Sequence, residues 1–335
     1  MTKKKSEFLD TMREELDEAW ESVLVTEAND SKIEVIPTSS ISLNVSTGIG
    51  GIPKRRATEI YGAESSGKTT LVLDICKNAL AEGSKVLYID VEHGVDYNYT
   101  HKIIGDYEAE NFILLQPETA EQGLKLVEEA INSGEFGCII VDSVGALAPT
   151  KEKEDELEDA HVSLLARILT PFSRRNTHAL KVNNVAVVFV NQIRDKIGSY
   201  IRDFETPGGH AFKHLLSLRI YLSVGEKIKE SDEIVGNQVK FLIKKNKMAP
   251  PYRSFQFPLI YGKGIDSARD TVEFANKLGI IKNRGPYYFF DDVQLGQGIA
   301  NTTRTLFDNP ELLDKVHKAC YNVLNIGKET EEKEE

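Results

Sequence analysis

The run Thr58-Glu59-Ile60-Tyr61-Gly62-Ala63-Glu64-Ser65-Ser66-Gly67-Lys68-Thr69-Thr70 decides the fold. Thr58–Tyr61 reads as a short strand and Thr69–Ala81 as a helix, so a glycine-rich loop joins the two. From Gly62 to Thr69 that loop fits G-x-x-x-x-G-K-[ST], and each fixed position has a physical task. Gly62 and Gly67 let the backbone curl until successive N–H groups point at one anion. The helix that follows offers its N-terminus to the same anion. Lys68 brings an ammonium to the β- and γ-phosphates of a nucleotide, and Thr69 a hydroxyl ligand for Mg²⁺. Gly62, Glu64, Ser65, Ser66, Gly67, Lys68, Thr69 and Thr70 are therefore the candidate nucleotide cradle. The strand-loop-helix setting separates this from a chance match.

Working outward, Cys138-Ile139-Ile140-Val141-Asp142 is an apolar strand that delivers Asp142 to its C-terminal end, where it can help hold Mg²⁺. Glu92 follows the strand Lys85–Asp90, and a carboxylate there can orient or deprotonate an attacking water. Asp90 is the rival for that role, with capping of the following turn as its structural alternative. Gln192 follows Val185–Asn191, where its amide can sense a γ-phosphate or serve as an ordinary loop residue. Asn111–Gln116 completes a set of apolar strands separated by helical stretches, which predicts a mostly parallel sheet covered on both faces. Leu218–Val224, Gln238–Lys244 and Phe255–Ile260 predict antiparallel strands extending it.

The expected organisation has four parts. Residues 1–32 hold an amphipathic helix with Phe8, Leu9, Met12, Leu16 and Trp20 on one face, then a polar linker. Residues 33–264 form the α/β nucleotide-binding core, 265–327 a small C-terminal α/β domain, and 328–335 an acidic disordered tail that by composition alone reads as a solubilising end. The 335 residues are 41% hydrophobic and 28% charged, with a formal net charge of -11, which argues against a simple DNA coat held by overall basicity. Local lysines and arginines can still serve a polyanion. No 18-residue apolar run is present, Met1–Lys5 lacks the apolar stretch of a signal peptide, and Cys76, Cys138 and Cys320 form no CxxC pair. The expected setting is a reducing cytoplasm.

Several motifs, in order and at matching spacings across about residues 35–325, resemble the RecA family of DNA strand-exchange recombinases. They are Thr38–Ile52, Glu59-Ile60-Tyr61-Gly62 into ESSGKTT, Ile89-Asp90-Val91-Glu92-His93, Val141–Leu147, Asn191-Gln192-Ile193-Arg194, Lys245–Pro250, Tyr261–Ile265 and Gly296-Gln297-Gly298. The resemblance implies a RecA-like core that hydrolyses ATP with Mg²⁺ at a subunit interface. It further implies helical homo-oligomeric filaments on single-stranded DNA, pairing with homologous duplex DNA, and a place in recombinational repair and the SOS response to DNA damage. By the same resemblance Glu92 is the catalytic carboxylate, Asp96 and Tyr99 contact adenine, and Gln192 couples the γ-phosphate to a DNA loop. Lys245 and Lys247 would reach ATP from the neighbouring subunit, in the manner of an arginine finger. Without the family they read as a solvated basic sheet edge. DNA would meet two loops, about 150–163 and 193–210, through Arg167, Arg174, Arg194, Lys196, Ile197, Gly198, Gly208 and Gly209.

The chain departs from the family pattern in those loops. Asp155 and Glu158 stand where glycines are usual, and Val162 where a larger apolar residue is usual. The second loop is about one residue shorter, carries Phe204 and Pro207, and has His210 in place of Asn. His214 replaces a Phe at the subunit interface. These changes leave the nucleotide cradle intact and bear on DNA contact and switching. Two other readings use the same core: a helicase motor, which would need a hexamer-forming linker and an arginine finger, and an ATP-gated filament that coats single-stranded DNA with poor turnover.

Overall fold

A computed structural model describes residues 33–154, 164–195 and 204–323. The amphipathic helix expected in residues 1–32, the acidic stretch with Asp155, Glu158 and Val162, the loop residues Lys196, Ile197 and Gly198, and the tail 328–335 lie outside them.

The chain enters with β1 (Val35–Ile36) and α1 (Ile41–Thr47), then β2 (Ile52–Pro53) and β3 (Arg56–Gly62). Next come α2 (Lys68–Ala81), β4 (Lys85–Asp90), α3 (Tyr97–Ile104), β5 (Phe112–Leu115), α4 (Ala120–Ser133) and β6 (Phe136–Asp142). After α5 (Thr150–Glu154) follow α6 (Leu164–Val182), β7 (Ala186–Gln192), the two-residue strands β8 (Arg194–Asp195) and β9 (Phe204–Glu205), and α7 (Gly209–Leu215). Two long strands, β10 (Leu216–Glu230) and β11 (Glu233–Asn246), lead to β12 (Ser254–Ile260) and β13 (Gly264–Ile265). The C-terminal part is α8 (Ser267–Lys277), β14 (Lys282–Arg284), β15 (Tyr287–Phe290), β16 (Val293–Gln297), α9 (Gly298–Phe307) and α10 (Pro310–Val323).

Nine strands form one sheet in the order β13-β12-β11-β10-β3-β7-β6-β4-β5. From β10 to β5 every pairing is parallel, and β10 to β13 pair antiparallel. The expectation of a mostly parallel sheet with an antiparallel extension therefore holds. The central strands are apolar on both sides because both sides are covered. Ile60, Tyr88, Ile140 and Val188 pack with Leu71 and Ile75 of α2. Ile89, Val141, Val187 and Phe189 pack with Leu124 and Val127 of α4 and Leu169 and Phe172 of α6. Alternation of side chains across a strand produces this division. Cys76, Cys138 and Cys320 are buried free thiols.

A third core joins distant parts of the chain. Ile41 and Val45 of α1 pack with Val272, Phe274, Ile281, Leu306 and Val316 of the C-terminal elements. Polar links reinforce it: the buried Asp270 carboxylate on α8 accepts from Ser40 Oγ (2.8 Å) and from the Ser42 N–H (3.0 Å). No helix among the described residues is long and apolar enough to cross a membrane.

The β3-β7-β6-β4 register fixes the edge where chemistry can occur. Gly62 lies opposite Gln192, and Asp90 opposite Asp142, so the C-terminal ends of four parallel strands meet at one rim. Open parallel sheets bind ligands at such a rim.

Candidate nucleotide site and basic cleft

The loop between β3 and α2 is shaped by its glycines. Gly67 has φ 90, and a Cβ there would press on Leu259 and Val239 at 3.1 and 3.2 Å. A Cβ on Gly62 would lie 2.3 Å from the Leu222 carbonyl oxygen and 2.8 Å from Ser66 Oγ. Both positions are thus closed to any side chain. Gly67 caps α2 without a side-chain acceptor, so the first N–H groups of the helix point out of the loop with no capping group. Ser66 Oγ is buried and has no hydrogen-bond partner among the described residues. A loop of uncapped N–H groups with an unpaired hydroxyl and an adjacent ammonium fits a polyphosphate. Lys68 Nζ donates to the carbonyls of Ala63 (2.7 Å) and Gly62 (3.2 Å). Burial holds its pKa below the ordinary lysine value, against the opposing pull of Asp142, Glu92 and Glu64.

Thr69 Oγ1 donates to Asp142 Oδ2 at 3.3 Å, and Tyr88 Oη donates to the same oxygen at 2.8 Å. Burial pushes the Asp142 carboxyl up to about 6; Glu92 and Asp90 push the same way, and the Tyr88 and Thr69 hydrogen bonds oppose them. A cation would relieve that burden. One carboxylate and one hydroxyl are the sort of sparse oxygen set that Mg²⁺ accepts when phosphate and water supply the remaining ligands.

Glu92 stands just beyond β4, its N–H and that of Val91 directed at the Asp142 carbonyl (3.4 and 2.7 Å). Its Oε1 accepts from Gln192 Nε2 at 2.8 Å and from Ser143 Oγ. Both Glu92 and Gln192 are exposed, so a water can reach the pair. The rival Asp90 is 1% exposed and fully engaged, accepting from the N–H groups of Gly94 and Val95 and from Gln116 Nε2. It caps the turn that presents Glu92.

A cleft of about 260 Å³ beside the loop is lined by Ser65, Lys68, Thr70, Tyr99, Asn237 and Tyr261, among others. Tyr99 Oη and Thr70 Oγ1 are 2.6 Å apart, which turns the ring along the cleft wall. Asp96 caps α3, accepting the Tyr99 N–H at 2.7 Å. Asn237, Tyr261, Ser143 and Tyr88 are site residues to which the sequence assigns no role, although Ser143 and Tyr261 fall inside recognised motifs. Ser143 and Tyr88 flank recognised acids, but a serine after a strand or a tyrosine within one has many uses. Asn237 and Tyr261 come from β11 and the turn after β12, more than 160 residues from the loop in sequence.

Lys245 and Lys247 lie elsewhere. Their ammonium groups donate to the carbonyls of Lys213 (2.6 Å) and His214 (2.9 Å), at the C-terminal end of α7 where cations are favoured. β11 ends at Asn246, so Lys247 sits past the strand rather than on it, yet both lysines reach the same helix end. Burial lowers Lys245 to about 8, helped by Lys247 and Arg219 and opposed by Glu59. Lys247 borders a basic cleft of about 530 Å³ with Arg55, Arg56, Arg174, Lys181 and His214. That cleft adjoins the N-terminal end of β3, roughly 20 Å of strand from Gly62.

Arg167 and Arg174 are exposed on α6, and Arg194 on β8. The structure thus brings Arg174 and Lys247, expected in separate sites, to one cleft. Gly208 and Gly209 open α7 with φ 117 and 76; a Cβ on Gly208 would meet Phe212 at 2.7 Å, and one on Gly209 would meet Ala166 at 2.9 Å. The packing of Phe212 inside α7 and of α7 on α6 therefore demands both glycines. Gly208 is buried.

Comparison with known proteins agrees with this architecture. The family model described as the RecA N-terminal domain matches residues 10–266, and that of the RecA C-terminal domain matches residues 270–325. The chain is 42% identical over 296 residues to Protein RecA of Paenarthrobacter aurescens, covering 88% of this chain and 85% of that protein. It is 41% identical over 307 residues to Protein RecA of Streptomyces rimosus (91% and 81% covered). It is 40% identical over 301 residues to Protein RecA of Streptomyces coelicolor (90% and 80% covered). With the two family models matching residues 10–266 and 270–325 and about two-fifths identity sustained over about nine-tenths of its length, the chain belongs to the RecA family.

Proposed function

We infer that the protein is an ATP-dependent DNA recombinase: a DNA-stimulated ATPase that forms helical filaments on single-stranded DNA and pairs it with homologous duplex in the repair of damaged DNA. One observation carries the reading. In a chain of this family, the phosphate-shaped loop, the Thr69–Asp142 oxygen pair and the Gln192–Glu92 pair all meet at the rim of the parallel sheet.

ATP with Mg²⁺ would supply the phosphoanhydride bond and the cation that neutralises its charge. The chain's own residues hold and orient. The N–H groups at the start of α2 and Lys68 grip the phosphates, Thr69 and Asp142 hold the metal, and Tyr99 presents an aromatic face for adenine. Glu92 accepts the proton of the attacking water, positioned by Ser143 and Gln192.

Lys245 and Lys247, fixed against the end of α7 and carried by β11, two strands across the sheet from β3, serve the site of the next subunit, so the enzyme is assembled only in the polymer. Arg167, Arg174, Arg194 and the segment 193–210 contact DNA. The cytoplasm is the compartment that this reading implies.

ATP hydrolysis measured with and without a single-stranded oligonucleotide, combined with electron microscopy of the same mixture, tests the proposal. Stimulated turnover together with helical filaments is expected. Rings would point to a motor of the helicase kind, and filaments without turnover to a passive coat; either outcome overturns it. Joint-molecule formation with homologous duplex then separates exchange from coating.

A further inference from the structure

Glu59 is a fully buried carboxylate three residues before the nucleotide loop. Its register neighbours are Phe189 on β7 and Arg219 on β10. Oε2 is ion-paired with Arg219 Nε, and Oε1 accepts from Asn191 Nδ2 at 2.9 Å. The second arm of the Arg219 fork reaches Thr206 Oγ1 at 3.0 Å, and its guanidinium lies 4.8 Å from the centre of the Tyr61 ring. Asn191, also fully buried, uses every atom of its amide. Nδ2 donates to Glu59 and to the Pro207 carbonyl (3.0 Å), and Oδ1 accepts the Gln192 N–H (3.0 Å). None of these groups lines the nucleotide cleft.

The arrangement joins two things that chemistry would need to link. On one side is Gln192, whose side chain is bonded to Glu92. On the other is Thr206-Pro207, the C-terminal base of a segment whose stem is the antiparallel pairing of Arg194 with Glu205 and Asp195 with Phe204. Burying a charge between strands is costly unless it is paired, so the Glu59–Arg219 pair is held in one geometry by desolvation as well as attraction. With Glu59 pinned, the Asn191 amide has no alternative partners. A movement of Thr206-Pro207 therefore reaches the backbone of Gln192 through Asn191, alongside the covalent path from Arg194 through Ile193.

We propose that Glu59 and Arg219 are positioning residues that clasp Asn191 to Thr206-Pro207, so that engagement of the 193–206 segment by single-stranded DNA is transmitted to the Gln192–Glu92 pair. The proposal rests on the reading that this segment contacts DNA. It adds the route by which that contact reaches the hydrolytic residues.

The test uses the full-length protein with three measurements: turnover of ATP without DNA, turnover with a poly-thymidine oligonucleotide, and anisotropy of the same oligonucleotide carrying a fluorophore. Glu59→Gln alone strands the Arg219 charge and can unfold the protein, so the decisive variant is the double substitution E59Q/R219Q, which removes both charges and keeps two hydrogen-bonding amides. The double variant is expected to keep DNA-free turnover and oligonucleotide binding near wild type while losing stimulation by about tenfold, the usual scale of a coupling between sites. A merely structural role would lower all three together. Stimulation equal to wild type, or DNA-free turnover falling in step with stimulated turnover, overturns the clasp alone. Wild-type protein that fails to retain the oligonucleotide overturns the DNA reading and the clasp with it.

Discussion

The Gln192 amide donates to the Glu92 carboxylate across 2.8 Å, spanning the ends of β7 and β4, two strands separated in the sheet by β6. An amide in that place can bond a γ-phosphate or Glu92, and a carboxylate released from it is free to take a proton from water. Glu92→Gln keeps the shape and removes the base. Nucleotide binding should remain within a few-fold while hydrolysis falls by roughly 10² to 10⁴. Filter retention of labelled nucleotide and single-turnover hydrolysis check this. Undiminished hydrolysis would return the role to Asp90, whose three hydrogen bonds argue against it.

Lys68→Ala removes the ammonium that now spans two loop carbonyls. Turnover should fall to background while the thermal unfolding midpoint without nucleotide stays close to wild type, because this lysine contacts the loop and not the core. A large drop in that midpoint would make the loop's own architecture depend on Lys68.

Lys247→Ala should fold normally and lose DNA-stimulated turnover. Wild-type turnover per subunit should rise with protein concentration as subunits associate, and that rise should be missing in the variant. If dilute, monomeric protein hydrolyses ATP equally well with and without this lysine, completion of the site by a neighbour is wrong.

Asp270 makes stability depend on pH in the direction opposite to a salt-bridged carboxylate. Burial raises its folded pKa to about 7 from 3.8; the Ser42 and Ser40 hydrogen bonds oppose the rise, and Glu273 adds to it. The folded state then holds a proton that the unfolded chain releases. The contribution of Asp270 to stability is therefore full below pH 4, declines as pH rises toward 7, and levels off above it, by an amount on the order of a few kcal/mol. Asp270→Asn cannot ionise, so urea midpoints at pH 5 and pH 8 should shift in the variant's favour at the higher pH. Parallel pH dependences in the two proteins would sink this account.

Gly208→Ala places a methyl 2.7 Å from Phe212 on a backbone with φ 117. A loss of about 1–3 kcal/mol in chemical denaturation is expected from overpacking and strain. If the variant is as stable as wild type but binds DNA poorly, the glycine serves the phosphate backbone after all.

Much of this was legible in the chain because local chemistry and global fold agree. The loop Gly62–Thr69 carries its spacing in one short run, and VAVVFVN is short, apolar up to Asn191 and rich in β-branched valine, which favours a strand covered on both faces. The long hairpin exceeds its apolar pattern: the strands expected at Leu218–Val224 and Gln238–Lys244 extend to Glu230 and Glu233. Beyond Val224 much of both faces meets solvent, and the apolar alternation that betrays a strand fades. The roles of Asp90 and Glu92 were open in sequence, since two acids two residues apart look alike until one is seen to be buried. Glu59 and Arg219 gave no sign at all. A charged residue in a strand is usually a solvated one, and the partners that make this pair lie 160 positions apart.

The sharing of one apolar core between α1 and the elements after Asp266 has a consequence for how the chain emerges during synthesis. Ile41 and Val45 leave the ribosome early, but the side chains that cover them are translated more than 225 residues later. Until then a greasy surface on the nascent protein stays uncovered, a natural foothold for a chaperone. A fragment stopped short of Ser267 would keep the whole catalytic rim and still lack the cover of α1.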